Sequence, residues 1–145
     1  VEFVTPTDIL ESLLVSNHRL TRVAAQSTGS KTPAGVWRTL SILSSDGAMR
    51  IGELATASRI SQPAMTKLLP SLVTDELVYR IADVEDSRAW LIAISDKGRD
   101  ALNTWKRELA VSLEPLFGDL TAREWSTLAS AATLLQARLG TAVVA

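Results

Sequence analysis

A mainly α-helical chain with one small β-hairpin is the fold class that the sequence predicts, and three observations predict it. Apolar residues recur at helical spacing through most of the 145 residues. The exception is a stretch of β-branched and aromatic residues on either side of a charged turn, from Leu77 to Ile94. Helix-start signals flank it, Ser61 before and Ser95-Asp96 after.

The elements follow in order. Thr7-Asp8 opens the first helix, where Ile9, Leu10, Leu13, Leu14, Leu20, Val23 and Ala24 keep a helical period to about Gln26, and Ser27-Thr28-Gly29-Ser30 ends it. Thr32 caps a second helix with Pro33 at its first position, where a missing N–H is harmless. Val36, Trp37, Leu40 and Leu43 form its inner face, and Asp46-Gly47 turns the chain out of it. A short helix over 51–58 buries Ile51, Leu54 and Ala55. Arg59-Ile60 makes the turn, and Ser61 caps the next helix, Gln62 to about Thr74. There Met65, Leu68, Leu69, Leu72 and Val73 fall on one face. Strands over 77–81 and 88–94 flank the turn Asp83-Val84-Glu85-Asp86-Ser87. The last helices run over 96–113, with Leu102, Trp105, Leu109 and Leu113 in a stripe, and from Thr121, whose spacing to Glu124 is that of a capping box.

The bulk numbers bound the function. With 46% hydrophobic and 21% charged residues, the 145-residue chain reads as one globular domain with a core, not a disordered tail. It has no run of 18 apolar residues, and Val1 to Pro6 lacks the basic and apolar regions of a secretory leader. No cysteine is present, which removes disulfides and thiolate chemistry and fits a reducing cytoplasm, the expected location. One histidine, no cysteine and no glycine-rich phosphate loop leave nothing for a catalytic or metal-centred reading, so neither enzyme activity nor a cofactor is expected.

Two helices joined by a tight turn and followed by a hairpin are the pattern of a winged helix-turn-helix, which points to duplex DNA. A helical hairpin in a bundle has the same spacing over the first part; the hairpin with its charged tip is what separates the two. The outer face of the helix from Gln62 carries Gln62, Pro63, Thr66, Lys67, Pro70 and Ser71, small or polar side chains suited to base edges and phosphates. Net charge is only −1, so phosphate affinity must come from local placement. Lys67 is the sole charge between Ile60 and Leu72, with Arg59 just before, and Arg50, Arg80 and Arg88 are further phosphate candidates.

These residues resemble the MarR family of winged-helix transcription regulators, from about Pro33 to Leu139. Ile51-Gly52-Glu53-Leu54-Ala55 is similar to the family's t-x-x-E-L-A helix, 61–69 to its recognition helix, and Leu77-Val78-Tyr79-Arg80 to its G-L-V-x-R strand entry. Most specific is Asp83-Val84-Glu85-Asp86-Ser87-Arg88-Ala89, followed by Leu91, Ile94-Ser95 and Lys97-Gly98, which is similar to the D-x-x-D-x-R wing and L-T-x-x-G exit. The resemblance implies that Arg88 enters a minor groove and that Asp86 helps hold it; the alternative is a solvated surface pair. The DNA-binding set is therefore Ser61, Gln62, Pro63, Thr66, Lys67, Asp86 and Arg88. Two departures bear on it. Pro70 lies inside the reading helix, where it removes the bond to the Thr66 carbonyl and is expected to kink or break the helix. Glu76 stands where the family usually has glycine, at a turn that needs positive φ.

The resulting layout is a DNA-binding lobe over 33–98 flanked by helices over 5–28 and 100–142. The apolar faces of those flanking helices need a partner, and a second copy of the chain is the simplest one. A homodimer would offer two reading helices to a palindromic operator, about 34 Å apart. The resemblance implies the same dimer, and a small aromatic or anionic effector between dimer helices and lobe. His18, Arg22, Trp37 and Trp105 are the ligand candidates, although tryptophans on apolar stripes are usually core. The expected function is that of a DNA-binding transcription regulator, a repressor by analogy with the family, released by such a ligand. The alternative, motivated by Pro70 and the acidic balance, is a winged-helix ligand-binding or protein-interaction module without specific DNA binding.

Overall fold

A computed structural model describes residues 2, 5–29 and 31–140. Six α-helices and a small antiparallel sheet are described, in the order α1 (Pro6–Thr28), α2 (Ala34–Asp46), β1 (Met49–Arg50), α3 (Ile51–Ser58), α4 (Gln62–Thr74), β2 (Val78–Ala82), β3 (Trp90–Ile94), α5 (Asp96–Leu113) and α6 (Ala122–Leu139). A 3-10 turn, Glu114–Phe117, follows α5. The winged helix-turn-helix is thus the observed fold. The chain divides into two units, residues 1–112 and 113–145. No helix among the described residues is long and apolar enough to cross a membrane.

Local chemistry explains the boundaries. α1 starts earlier than the sequence suggested, because Thr5 and Asp8 form the capping box: the Thr5 hydroxyl accepts from the Asp8 N–H at 3.2 Å, and the Asp8 carboxylate accepts from the Thr5 N–H at 2.8 Å. In α2, Pro33 occupies the cap position and the helix begins at Ala34, one residue later than expected. α3 and α4 have the expected bounds. Arg59 takes a left-handed conformation, φ 59°, to close α3, and the Ser61 hydroxyl accepts from the Ala64 N–H at 3.2 Å to open α4. The capping box of α6 forms as expected between Thr121 and Glu124.

The sheet differs from the simple hairpin in having a third strand. β1 is only two residues long, too short to show a period, and pairs with β3 through Met49↔Ile92 and Arg50↔Leu91. Strand order is β1-β3-β2, so β3 is central. β2 begins at Val78 and β3 at Trp90, one and two residues later than expected, since pairing rather than propensity sets their ends.

The core joins α2, α3, α4, the sheet and α5 through Leu40, Leu43, Leu54, Met65, Leu69, Leu72, Val78, Ile92, Ile94 and Leu102, all buried. Each large member contributes about 1.5–3 kcal/mol by leaving water. Two backbone positions let α4, β2 and α5 meet. Glu76 adopts φ 61° where glycine would be easiest, and it is held there by the Ser95 hydroxyl, which donates to its carbonyl. The same hydroxyl accepts from the Gly98 N–H at 2.9 Å to cap α5. At Gly98 a Cβ would land on the Leu77 carbonyl oxygen and 2.9 Å from Ile94 Cγ1, so no side chain fits.

Gly98→Ala is therefore expected to lower unfolding free energy by about 3 kcal/mol, as overpacking against backbone does. Glu76→Gly, by relieving a left-handed non-glycine, should raise it by about 0.5–1 kcal/mol. Urea midpoints check both, and an unchanged midpoint for Gly98→Ala contradicts the close approach.

Candidate nucleic-acid interface

The outward face of α4 carries the side chains proposed to read DNA. Gln62, Pro63, Thr66 and Lys67 are exposed, while Met65, Leu69 and Leu72 point into the core. Ser61 is committed to capping and Thr66 to the helix, its hydroxyl donating to the Gln62 carbonyl at 2.9 Å. Gln62 lies against the start of α3, where a Cβ on Gly52 would come within 3.3 Å of Gln62 Oε1. Pro70 does not break the helix. It is exposed, and α4 continues to Thr74 with Leu72 buried beyond it.

The wing is held by two aspartates, in a way the sequence did not show. Asp83 Oδ2 accepts from Arg50 Nε at 2.9 Å and from a terminal guanidinium nitrogen at 2.7 Å, and its Oδ1 accepts from the Glu85 N–H at 2.9 Å. Its own N–H donates to the Ala89 carbonyl at 3.1 Å, closing the base of the turn. The Glu85 N–H, and after it the Arg50 guanidinium, hold the Asp83 carboxyl below the usual carboxylate range. Arg50, a phosphate candidate by sequence, is tied into this pair. Its partner lies 33 residues away, so no local pattern announces it.

Asp86 shapes the tip. Its Oδ1 accepts from the backbone N–H of Arg88 at 3.0 Å and its carbonyl from the Ala89 N–H at 3.0 Å, an Asx-type turn. Asp86 thus orients Arg88 through the backbone, and among the described residues no ion pair joins their side chains. The Arg88 guanidinium stays exposed.

Wing and helices enclose a cleft of about 580 Å³ lined by Gln62, Gly52, Glu53, Arg80, Arg88 and Trp90, among others. Its wall carries two arginines without an ion-pair partner among the described residues, Arg80 and Arg88, and one acid, Glu53. The region is locally cationic although the chain's net charge is −1.

Of the four ligand candidates, the structure brings two together. Trp37 and Trp105 stack at 4.9 Å between ring centroids with 10° between planes, and Trp37 Nε1 is buried without a hydrogen-bond partner. His18 and Arg22 are exposed on α1 and lie outside the 410 Å³ cleft beside Trp37.

Comparison with known proteins agrees with this architecture. The model of the MarR family matches residues 34–90. An HTH-type transcriptional regulator of Mycobacterium tuberculosis, MT0903.1, is 32% identical over 98 residues, 68% of this chain and 68% of its own length. The homoprotocatechuate degradative operon repressor of Escherichia coli is 25% identical over 92 residues, 63% of this chain and 62% of its own. Among solved structures, the transcriptional regulator Tm0710 of Thermotoga maritima superimposes with a TM-score of 0.73 at 18% identity, over 92% of this chain and 94% of that one.

Because the folded pKa of Asp83 lies below its ordinary value of 3.8, the carboxylate stabilises the fold above that value. The contribution disappears as pH falls through the folded pKa. Asp83→Asn should then melt below wild type at neutral pH, with the difference closing under increasingly acid conditions. Thermal melts across pH check this, and a difference that persists undiminished in acid contradicts the assignment.

Proposed function

The chain belongs to the MarR family of transcription regulators, and from that premise we propose that it is a repressor that binds a palindromic operator as a homodimer, through α4 and the wing. The observation that carries the proposal is the juxtaposition of an acid-free polar face, Gln62 to Lys67, with an exposed Arg88 whose backbone is fixed by Asp86. Gln62 and Pro63, at the first turn of α4, face base edges in the major groove. Lys67 supplies a phosphate contact, and Ser61 positions the helix start. Arg88 fits a narrow minor groove, whose negative potential attracts a guanidinium.

Homodimerisation draws support from the flanking helices. α1 exposes Ile9, Leu10, Leu13, Leu14 and Val15, and α6 exposes Trp125, Leu128, Leu134, Leu135 and Leu139. Such apolar faces are costly to leave in water and suit a self-complementary interface. The repressor sense is supported by the E. coli relative, a repressor of a degradative operon by name. Release by a small aromatic effector is supported by the Trp37–Trp105 stack, an aromatic wall with an unused buried indole N–H; His18 and Arg22 would join it only as anion partners. The helix running unbroken past Pro70 supports the DNA reading over a module without DNA binding.

A labelled duplex from the region upstream of the protein's own coding sequence provides the test. Arg88→Ala should weaken binding on the order of tenfold or more. Lys67→Ala should weaken all sequences about equally and reduce the slope of log K against log salt by about one. If neither substitution weakens binding at low salt, the proposed surface is wrong. Light scattering of the free protein should give twice the chain mass; a monomer at micromolar concentration excludes the dimer.

A further inference from the structure

Trp90 is the first residue of β3 and remains 57% exposed. The register explains why folding does not cover it. One face of the sheet carries the cross-strand pairs Val78↔Ile94, Arg80↔Ile92 and Ala82↔Trp90 in succession. Val78, Ile92 and Ile94 are buried, so the face begins in the core, but it ends outside it, with the indole opposite the methyl group of Ala82. A side chain of this size gains most when its surface is removed from water, and here nothing in the lobe removes it. Tyr79 and Ile81 belong to the opposite face and do not share its surroundings.

Those surroundings are cationic and lie on the surface described above. Trp90 lines the same cleft as Gln62, Arg80 and Arg88. An aromatic ring that shares a cleft with two arginines, and lies two residues after Arg88, matches a surface that is anionic at its phosphates and apolar at its sugars. We infer that Trp90 is a further DNA-contacting residue, its indole packing against the sugar-phosphate edge of a duplex beside the groove that Arg88 enters. The ring face meets deoxyribose C–H groups while the Nε1–H has phosphate oxygens within its reach, and Arg80 flanks the same strand. The inference rests on the DNA reading of the preceding section, and adds to it a contact that is apolar rather than ionic.

That difference makes it testable separately. With the upstream duplex, Trp90→Ala is expected to weaken binding on the order of tenfold, the scale for burying a large apolar side chain, while leaving the salt slope unchanged. Arg88→Ala should lower that slope by about one. Trp90→Phe, which keeps a ring, should stay close to wild type. In protein labelled with 5-fluorotryptophan, the 19F resonance that Trp90→Phe deletes should shift on adding duplex. Trp90→Ala binding within about twofold of wild type while Arg88→Ala is weakened overturns the inference and leaves the DNA reading standing. So does an unmoved Trp90 resonance in the presence of saturating duplex, or a change in self-association as the main effect of Trp90→Ala. Failure of wild type to bind any duplex at low salt overturns the DNA reading, and this inference with it.

Discussion

The ion pair between Arg50 and Asp83 ties the functional surface together. Arg50 ends β1 and directly precedes α3; Asp83 follows β2 and opens the wing. Because β3 lies between β1 and β2, the pair spans the sheet and fixes the wing to the helix-turn-helix. Burying a carboxylate is expensive unless its oxygens are satisfied. Here one oxygen takes two guanidinium hydrogens and the other the Glu85 N–H, so the group is 9% exposed yet fully engaged. A wing this short buries few apolar atoms; Val84 at its tip is 99% exposed. Hydrogen bonds around Asp83 and Asp86 therefore supply the order that packing cannot, and Arg88 is presented at a defined place.

From that anchor the sheet divides its work by length rather than by face. The inner face packs on the core through Val78, Ile92 and Ile94, then leaves it and becomes a wall of the cleft through Arg80 and Trp90. α4 divides its work by face instead, with Met65, Leu69 and Leu72 inward and Gln62, Thr66 and Lys67 outward. Both arrangements place the reading groups on elements whose other atoms are buried, which limits their motion. They also bear on how a chain of net charge −1 offers a cationic cleft: of the wing acids, Asp86 is engaged with a backbone N–H and Asp83 with a backbone N–H and Arg50, and Glu53 is the one acid in the cleft wall.

Much of this was legible in the sequence wherever a pattern repeats. α3 and α4 had the expected ends because Ser61 and the apolar period agree, and the turn at Glu76 needed positive φ as its place in the motif implied. β1 was not legible, since two residues carry no period and exist as a strand only by pairing with β3. The pairing of Arg50 with Asp83 is not legible because the acid lies far along the chain. The spacing of Asp86 and Arg88 suggests that one helps hold the other, and the atoms that do so, the Asp86 carboxylate and the Arg88 backbone N–H, are visible only in the structure. Nothing local distinguishes Trp90 from the other large residues of its strand, and only the register puts it opposite Ala82, beyond the core.

Pro70 shows why a local rule can be right about its cost and wrong about its outcome. A proline inside a helix forfeits one hydrogen bond and crowds the preceding turn, roughly 3 kcal/mol. In an isolated helix that would end the element. In α4 the residues on either side, Leu69 and Leu72, are about 1% exposed, and each contributes about 1.5–3 kcal/mol by burial, which requires helical geometry on both sides of the proline. Tertiary packing thus offsets the local penalty, and the helix persists. The functional consequence survives in a milder form. With an apolar ring on the exposed side, position 70 offers no polar group there, so on the proposed DNA reading the polar edge of α4 lies mainly in its first two turns. On the proposed DNA reading, a helix with so short a polar edge leaves more of the contact to the wing, where Arg88 and Trp90 stand beside a turn held by Asp83 and Asp86.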